Sequence, residues 1–170
     1  MNWLDKVRKL LDLKRNKKPG EPRIDISPCK PSWETNELEE LCHEFPWLPQ
    51  AYLDYIKEFD STSITFCNFF GSNKCDGLFI KNQLQEFTII VNNDYFPFAK
   101  DADGSIFLLN TKGQVLLWDK YDYSFEEEPE LIAETFEEFM GDCLLGKRIG
   151  EFITPGKNSF YKTIQQLGWV

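Results

Sequence analysis

Hydrophobic positions along this chain follow two periods. Trp3, Leu4, Val7, Leu10, Leu11 and Lys14 fit one amphipathic helix whose polar face is basic. Pro19, Pro22, Pro28 and Pro31 then form a stretch that cannot remain helical. The pattern predicts a basic helix and Pro-rich connector over residues 1–31, followed by a compact domain over residues 32–170. Leu38, Leu41, Cys42 and Phe45 recur at i, i+3, i+4 and i+7, which is a helix face. Ser32 or Thr35 can cap that helix, Glu37, Glu39 and Glu40 suit its positive end, and Pro46 ends it. A second helix is predicted from Pro49, with Leu48, Tyr52, Tyr55, Ile56 and Phe59 as its apolar stripe.

Beyond Phe59 the pattern shortens. Ile64–Phe70 and Phe87–Val91 are β-branched and aromatic runs that read as strands. Phe96–Lys100, Ser105–Asn110 and Gln114–Asp119 are three further strand-like runs. They are separated by Asp101-Ala102-Asp103-Gly104 and by Thr111-Lys112-Gly113. Each connection carries a Gly where a short hairpin needs a positive φ, so the three runs predict an antiparallel meander. Pro97 implies that its strand lies at an edge or is opened by the proline. A third domain helix is predicted from Pro129 to Leu145, burying Leu131, Ile132, Phe136, Phe139, Met140, Cys143 and Leu144. Gly146 stops it, and Lys147 and Arg148 complement its negative end. A turn at Pro155-Gly156 and a short helix over Ser159–Leu167 complete the chain. The expected fold class is α+β, an antiparallel meander sheet with helices packed before and after it.

Composition changes this picture mainly through charge. The 170 residues hold 28 acids and 19 Lys and Arg, a net −9. The first 23 residues carry eight bases against three acids, so +5 sits there and −14 on the remainder. An acidic domain is a poor partner for nucleic acid, and no apolar run is long enough for a transmembrane helix. The N-terminus has no continuous apolar segment and no small-residue cleavage site, which predicts a cytoplasmic protein. Residues 1–18 fit either a weak peripheral contact with a membrane surface or a helix packed on its own acidic domain.

Catalytic and metal chemistry finds little support. The five cysteines are odd in number and lack paired spacing, so neither a disulfide framework nor structural zinc is expected. The one histidine, His43, adjoins Cys42, and helix neighbours do not share a face. Asp101-x-Asp103-Gly104 resembles part of a calcium loop, but with Gly104 at loop position 6 the end positions fall on Ala99 and Asn110. Asp94, Asp101, Asp103 and Asp119 cluster in sequence, and strand-end acids are ordinary. No glycine-rich phosphate loop occurs. Neither a cofactor nor a metal is called for. What stands out is an acidic run: nine acids and no Lys or Arg lie between Tyr121 and Gly146. Such a field attracts a basic partner and speeds encounter, and Tyr121 and Tyr123 add aromatic groups of the kind enriched at interfaces. The partner-binding candidates are Tyr121, Asp122, Tyr123, Glu126, Glu127 and Glu128, with Asp101 and Asp103 of the hairpin.

Three ordered blocks over about residues 35–145 resemble the SUKH superfamily, the Smi/Knr-type family. The first is Leu48-Pro49 followed by Tyr52-Leu53-Asp54-Tyr55-Ile56. The second runs from Phe96-Pro97-Phe98-Ala99 through Asp101 and Gly104 to Phe107-Leu108-Leu109. The third is Gly113-Gln114-Val115 with Trp118-Asp119, then Ile132-Ala133-Glu134-Thr135-Phe136-Glu137-Glu138-Phe139. One departure is Asp60-Ser61, where the family often has Asn-Gly, and it bears on the shape of that loop.

The resemblance implies an α+β binding protein with no shared catalytic residues. Many bacterial members are immunity proteins that neutralise polymorphic toxins, often nucleases or deaminases, and eukaryotic relatives regulate cell wall and signalling. The expected function is thus a non-enzymatic immunity protein whose partner is a basic toxin domain. The alternative is a regulatory or scaffold module.

Overall fold

The computed structural model describes residues 1–21, 24–34, 36–74, 77–119, 127–155 and 157–170. Helix α1 (Trp3–Arg15) begins where Asn2 accepts the Asp5 amide at 2.9 Å; Asp5 near its start and Lys14 and Arg15 near its end suit the helix dipole. Its apolar face, Val7, Leu10 and Leu11, is buried. The Trp3 ring meets Phe136 edge-on at 5.8 Å and tilts over Tyr55 at 6.3 Å. Three of its bases reach across to other segments. The Lys6 ammonium donates to the carbonyls of Gly141 at 3.0 Å and Leu145 at 2.8 Å, and stands 5.4 Å from the centre of the Trp169 ring. Arg8 clasps Glu58 at 2.7 and 2.6 Å, and Lys14 donates to the carbonyl of Ile26. The apolar face that a membrane surface would take therefore faces the protein's own core.

The connector adds a short strand, β1 (Ile26–Ser27), which pairs antiparallel with β2 (Ser63–Ile64). Between them lie α2 (Glu37–Glu44) and α3 (Gln50–Phe59). Asn36, not Ser32, occupies the cap position of α2 and makes no side-chain cap; Thr35 lies outside the described residues, and Pro49 is the cap of α3 rather than its first turn. Tyr52, Tyr55, Ile56 and Phe59 are buried along α3, the stripe predicted for it.

The main sheet has the order β3 (Asn68–Phe69), β4 (Tyr95–Lys100), β5 (Ile106–Asn110), β6 (Val115–Trp118), β7 (Glu130–Ala133), and every pairing is antiparallel. The predicted meander is its centre. Strand β4 is internal, not an edge, because β3 pairs with its far end at Ala99 and Lys100. Pro97 is tolerated because it stands at a register shift in the β4–β5 pairing.

Two expected elements change type. Phe87–Val91, read as a strand, is helical: α4 (Ile80–Glu86) leads through Phe87 into α5 (Thr88–Val91). Its β-branched composition suggests a strand, yet the burial has helical spacing. Phe87, Ile90 and Val91 turn inward at i, i+3 and i+4, while Ile89 is 39% exposed. Pro129–Ala133, read as the start of a helix, supplies strand β7, with Leu131 48% exposed and Ile132 7% exposed. The helix begins only at Thr135, whose hydroxyl accepts the Glu138 amide at 3.1 Å while Glu138 accepts the Glu134 amide at 2.9 Å. This is a capping box displaced by one residue. From there α6 (Phe136–Glu138) runs into a π-helical stretch, Phe139–Leu144, closed by the Leu145 amide on the Met140 carbonyl. A Cβ at Gly146 would collide with the Gly141 carbonyl oxygen, so only glycine fits there. Arg148 leaves the helix end and donates to the Ile132 carbonyl at 2.9 Å, covering part of the outer edge of β7. A 3₁₀ turn, Lys147–Glu151, precedes α7 (Ser159–Gln166).

Strands β4 and β5 are buried on both faces. On one side Phe96, Phe98 and Phe107 interlock with Tyr52, Phe136 and Phe139 at centroid separations of 5.1 to 6.2 Å. On the other, Phe87 meets Trp118 edge-on at 6.3 Å and α4 and α5 pack on β4.

The two meander turns are closed by side chains. Asp101 Oδ1 accepts the amides of Asp103, Gly104 and Ser105 at 3.0, 2.8 and 2.9 Å, and Gly104 takes φ 98°. Asn110 Oδ1 accepts the amides of Lys112 and Gln114, both at 3.0 Å, with Gly113 at φ 79°.

Two outcomes follow. Leu10→Ala is expected to lower unfolding free energy by about 2–5 kcal/mol in urea titration, as for any core leucine; no change would mean that α1 is a detachable arm. Asp101→Ala is expected to cost about 1–2 kcal/mol, because three turn amides lose their acceptor. Asp101→Asn, which retains an oxygen acceptor, is expected to stay close to the parent.

Candidate functional site

The β4–β5 turn, the end of β6 and the start of β7 share one end of the sheet, since Ile106 pairs with Trp118 and Leu117 with Glu130. Pairing of neighbouring strands thus gathers acids that are far apart in sequence. Asp119, Glu127, Glu128 and Glu130 surround a shallow cleft of about 270 Å³, with Leu117 and Trp118 as its apolar part and Ser105 bringing the hairpin turn beside it. Glu127, Glu128, Glu130 and Asp119 are exposed, and the described residues lining the cleft include no Lys or Arg.

The predicted site residues divide between three situations. Glu127 and Glu128 line the cleft. Asp103 is exposed on the adjoining turn, whereas Asp101 is half-buried and turned onto backbone amides. Burial pushes the Asp101 carboxyl above the usual carboxylate range, against the pull of the Gly104 and Ser105 amides, and the neighbouring Asp103 charge adds to the rise. Asp101 therefore shapes the acidic turn rather than projecting from it. Tyr121, Asp122, Tyr123 and Glu126 lie outside the described residues.

Of the carboxylates considered for catalysis, Asp94 stands apart from Asp101, Asp103 and Asp119, which lie at the other end of the sheet. Asp94 precedes β4 and Asp101 follows it, which separates them by about 20 Å at the rise of a strand. Among the described residues, no three His, Cys, Asp or Glu side chains gather as a metal ion would require. The buried thiols are also unsuited to nucleophilic work. Burial pushes Cys67 well up and Cys143 up to about 11, so both remain protonated near neutrality. His43 is exposed beside half-buried Cys42 on the last turn of α2.

Another carboxylate escaped the sequence reading. Asp60, at the end of α3, is fully buried with φ 51°. It accepts the Ser72 amide at 2.6 Å and the Ser72 hydroxyl at 2.8 Å, and a Cβ at Gly71 would strike it. This is the Asp60-Ser61 departure noted above. The aspartate takes a positive φ of 51° with ψ −133°, and both its side-chain oxygens accept hydrogen bonds from Ser72 in the loop after β3. A buried acid bonded in this way is a fold determinant. Its signal was the lone acid following an apolar stripe at a predicted helix end.

Among the described residues no helix is long and apolar enough to cross a membrane. No curated protein matches the chain. The model of the SMI1/KNR4 family (SUKH-1) matches residues 34–142, from the turn before α2 to the π-helical stretch after α6. That span takes in the aromatic core, the meander and the acidic end of the sheet, and the chain belongs to the SMI1/KNR4 family.

Proposed function

We propose that this protein is a non-enzymatic immunity protein that neutralises a cognate toxin domain, of nuclease or deaminase type, by binding it directly. The family, which includes toxin immunity proteins, supports the class of function. The observation that carries the finer reading is the acidic end of the sheet, where four carboxylates ring a cleft with an indole at its base. Enzymes that act on nucleic acid present basic surfaces, so a protein that mimics phosphate charge meets them at the place where substrate enters. The exposed acids steer encounter through their long-range field, and the apolar part of the cleft and the aromatic residues Tyr121 and Tyr123 slow dissociation.

The test mixes the protein with a nuclease- or deaminase-type toxin domain sought among the neighbours of its gene and follows association by stopped flow at low and high salt. A Glu127→Lys, Glu128→Lys double variant is expected to associate about tenfold more slowly at low salt and to lose most of the salt dependence. Unchanged rates at both salt concentrations would refute the electrostatic reading. A neighbouring toxin that fails to bind the parent protein would refute the immunity reading itself.

A further inference from the structure

A second concavity lies away from the acidic end of the sheet. Its walls are two helix faces. From α2 come Glu37, Glu40, Leu41 and Glu44, at i, i+3, i+4 and i+7; from α4 and α5 come Ile80, Lys81, Leu84 and Thr88. The groove between them has a volume of about 400 Å³, within the roughly 300–1,000 Å³ of ligand-holding clefts. Leu41, Ile80, Leu84 and Val91 supply its apolar floor and Trp33 closes one end. The Trp33 indole is fixed in place, since its N–H donates to the Ile56 carbonyl at 3.3 Å.

The charges on the rim select the occupant. Among the described residues, Glu37, Glu40 and Glu44 on the α2 wall and Glu34 beside them are met by two ammoniums, Lys81 of the groove lining and Lys74 at its end, so the acids remain in excess. Glu37 is only 7% exposed, and its carboxylate accepts the Glu34 amide at 2.9 Å. Its other oxygen stands 3.7 Å from both Lys81 and Lys74, wider than a good hydrogen bond. Lys81 also reaches Glu40 at 3.1 Å, so it lies across the groove mouth as a strap between α4 and α2. Exposed pairs of this kind contribute little, and an arginine fork matches a carboxylate better than an ammonium does. Glu40 and Glu44 are one helical turn apart, about 6 Å along the axis. That spacing matches two bases one turn apart on a docked helix, with an apolar side chain between them entering the floor.

We propose that the groove between α2 and the α4–α5 pair is a docking site for a basic amphipathic helix of another protein, which displaces the Lys81 strap. The chain's own basic helix is excluded as occupant within the molecule, because the apolar face of α1 is already buried elsewhere. The site shares no lining residue with the acidic cleft and does not depend on what that cleft binds.

The test uses three synthetic peptides of equal length. One is a helix-forming peptide with leucines flanked by arginines at four-residue spacing, the second replaces its arginines by glutamates, and the third is oligoarginine. Binding to the full chain is followed by amide and indole NMR. The first peptide is expected to shift the Trp33 indole and the amides of α2 and α4 and to saturate; the other two are expected to bind at least about tenfold more weakly.

Three variants complete the test. Leu84→Arg, on a half-exposed position, and Glu44→Lys are each expected to weaken binding by about tenfold, and Lys81→Ala to tighten it about threefold. The exposed positions of Glu44 and Lys81 keep the test decisive if Leu84→Arg fails to fold. Equal binding of oligoarginine, shifts centred on residues 117–130, or a Lys81→Ala variant that binds no better would each overturn the proposal. The Glu127→Lys, Glu128→Lys variant is expected to leave peptide affinity within about twofold, which separates failure of this site from failure of the acidic cleft.

Discussion

Strands β4 and β5 are apolar on both faces, and most of the architecture follows from covering them. A meander with one wet face would need polar residues at alternate positions. Here Phe96, Phe98 and Phe107 face one way, and Pro97, Ile106 and Leu108 the other, all buried. The first side is closed by α3 and by the helix after β7, through the contacts of Tyr52, Phe136 and Phe139. The second side is closed by α4 and α5. Once both faces are covered, the concavities of the described residues fall at the sheet's open end and between helices. The acidic cleft lies at that end, and the groove runs between α2 and the α4–α5 pair.

The parts of the fold that could be read in the sequence are those where period and composition agree. Tyr52, Tyr55, Ile56 and Phe59 are aromatic or aliphatic and also helically spaced, so α3 is unambiguous. The meander has alternating runs with glycines at its turns. The sequence misleads where the two signals conflict. Phe87–Val91 has strand-like residues at helical spacing, and the spacing prevails because α5 continues the helical path of α4. Pro129–Ala133 adjoins a true helix and continues its apolar spacing, although Thr135 and Glu138 mark the real start. The groove was invisible for a related reason. Its second wall is α4, whose apolar residues Ile80 and Leu84 are too few among polar neighbours to stand out in so short a helix. Of the candidate site, the position of Glu127 and Glu128 on a cleft was foreshadowed by the acidic run, whereas its other acids, Asp119 and Glu130, come to it only through strand pairing. The inward role of Asp101 was not legible, because a strand-end acid that closes its own turn has the same sequence appearance as one that faces solvent.

The N-terminal helix shows how charge and packing combine. As a sequence it is a cationic segment set against an acidic domain, which invites comparison with a detached arm. In the structure its bases serve the body of the protein. Arg8 neutralises Glu58, and Lys14 bonds a β1 carbonyl. Lys6 has the most demanding position. Burial lowers its pKa while Asp142 opposes the fall, and its ammonium satisfies two carbonyls around the π-helical stretch. That stretch ends against Gly146 with no room for a side chain, so its carbonyls need a donor supplied from another element.

Electrostatics and core packing are therefore coupled through α1. Its apolar face extends the aromatic core past Tyr55 and Phe136, and three of its bases bind the protein's own oxygens. The consequence falls on the two concavities. With these cations engaged at the back of α3 and at the helix after β7, none of them lines the acidic cleft or the α2–α4 groove. Neither place draws a neutralising cation from the basic segment, which is held by contacts on other parts of the molecule.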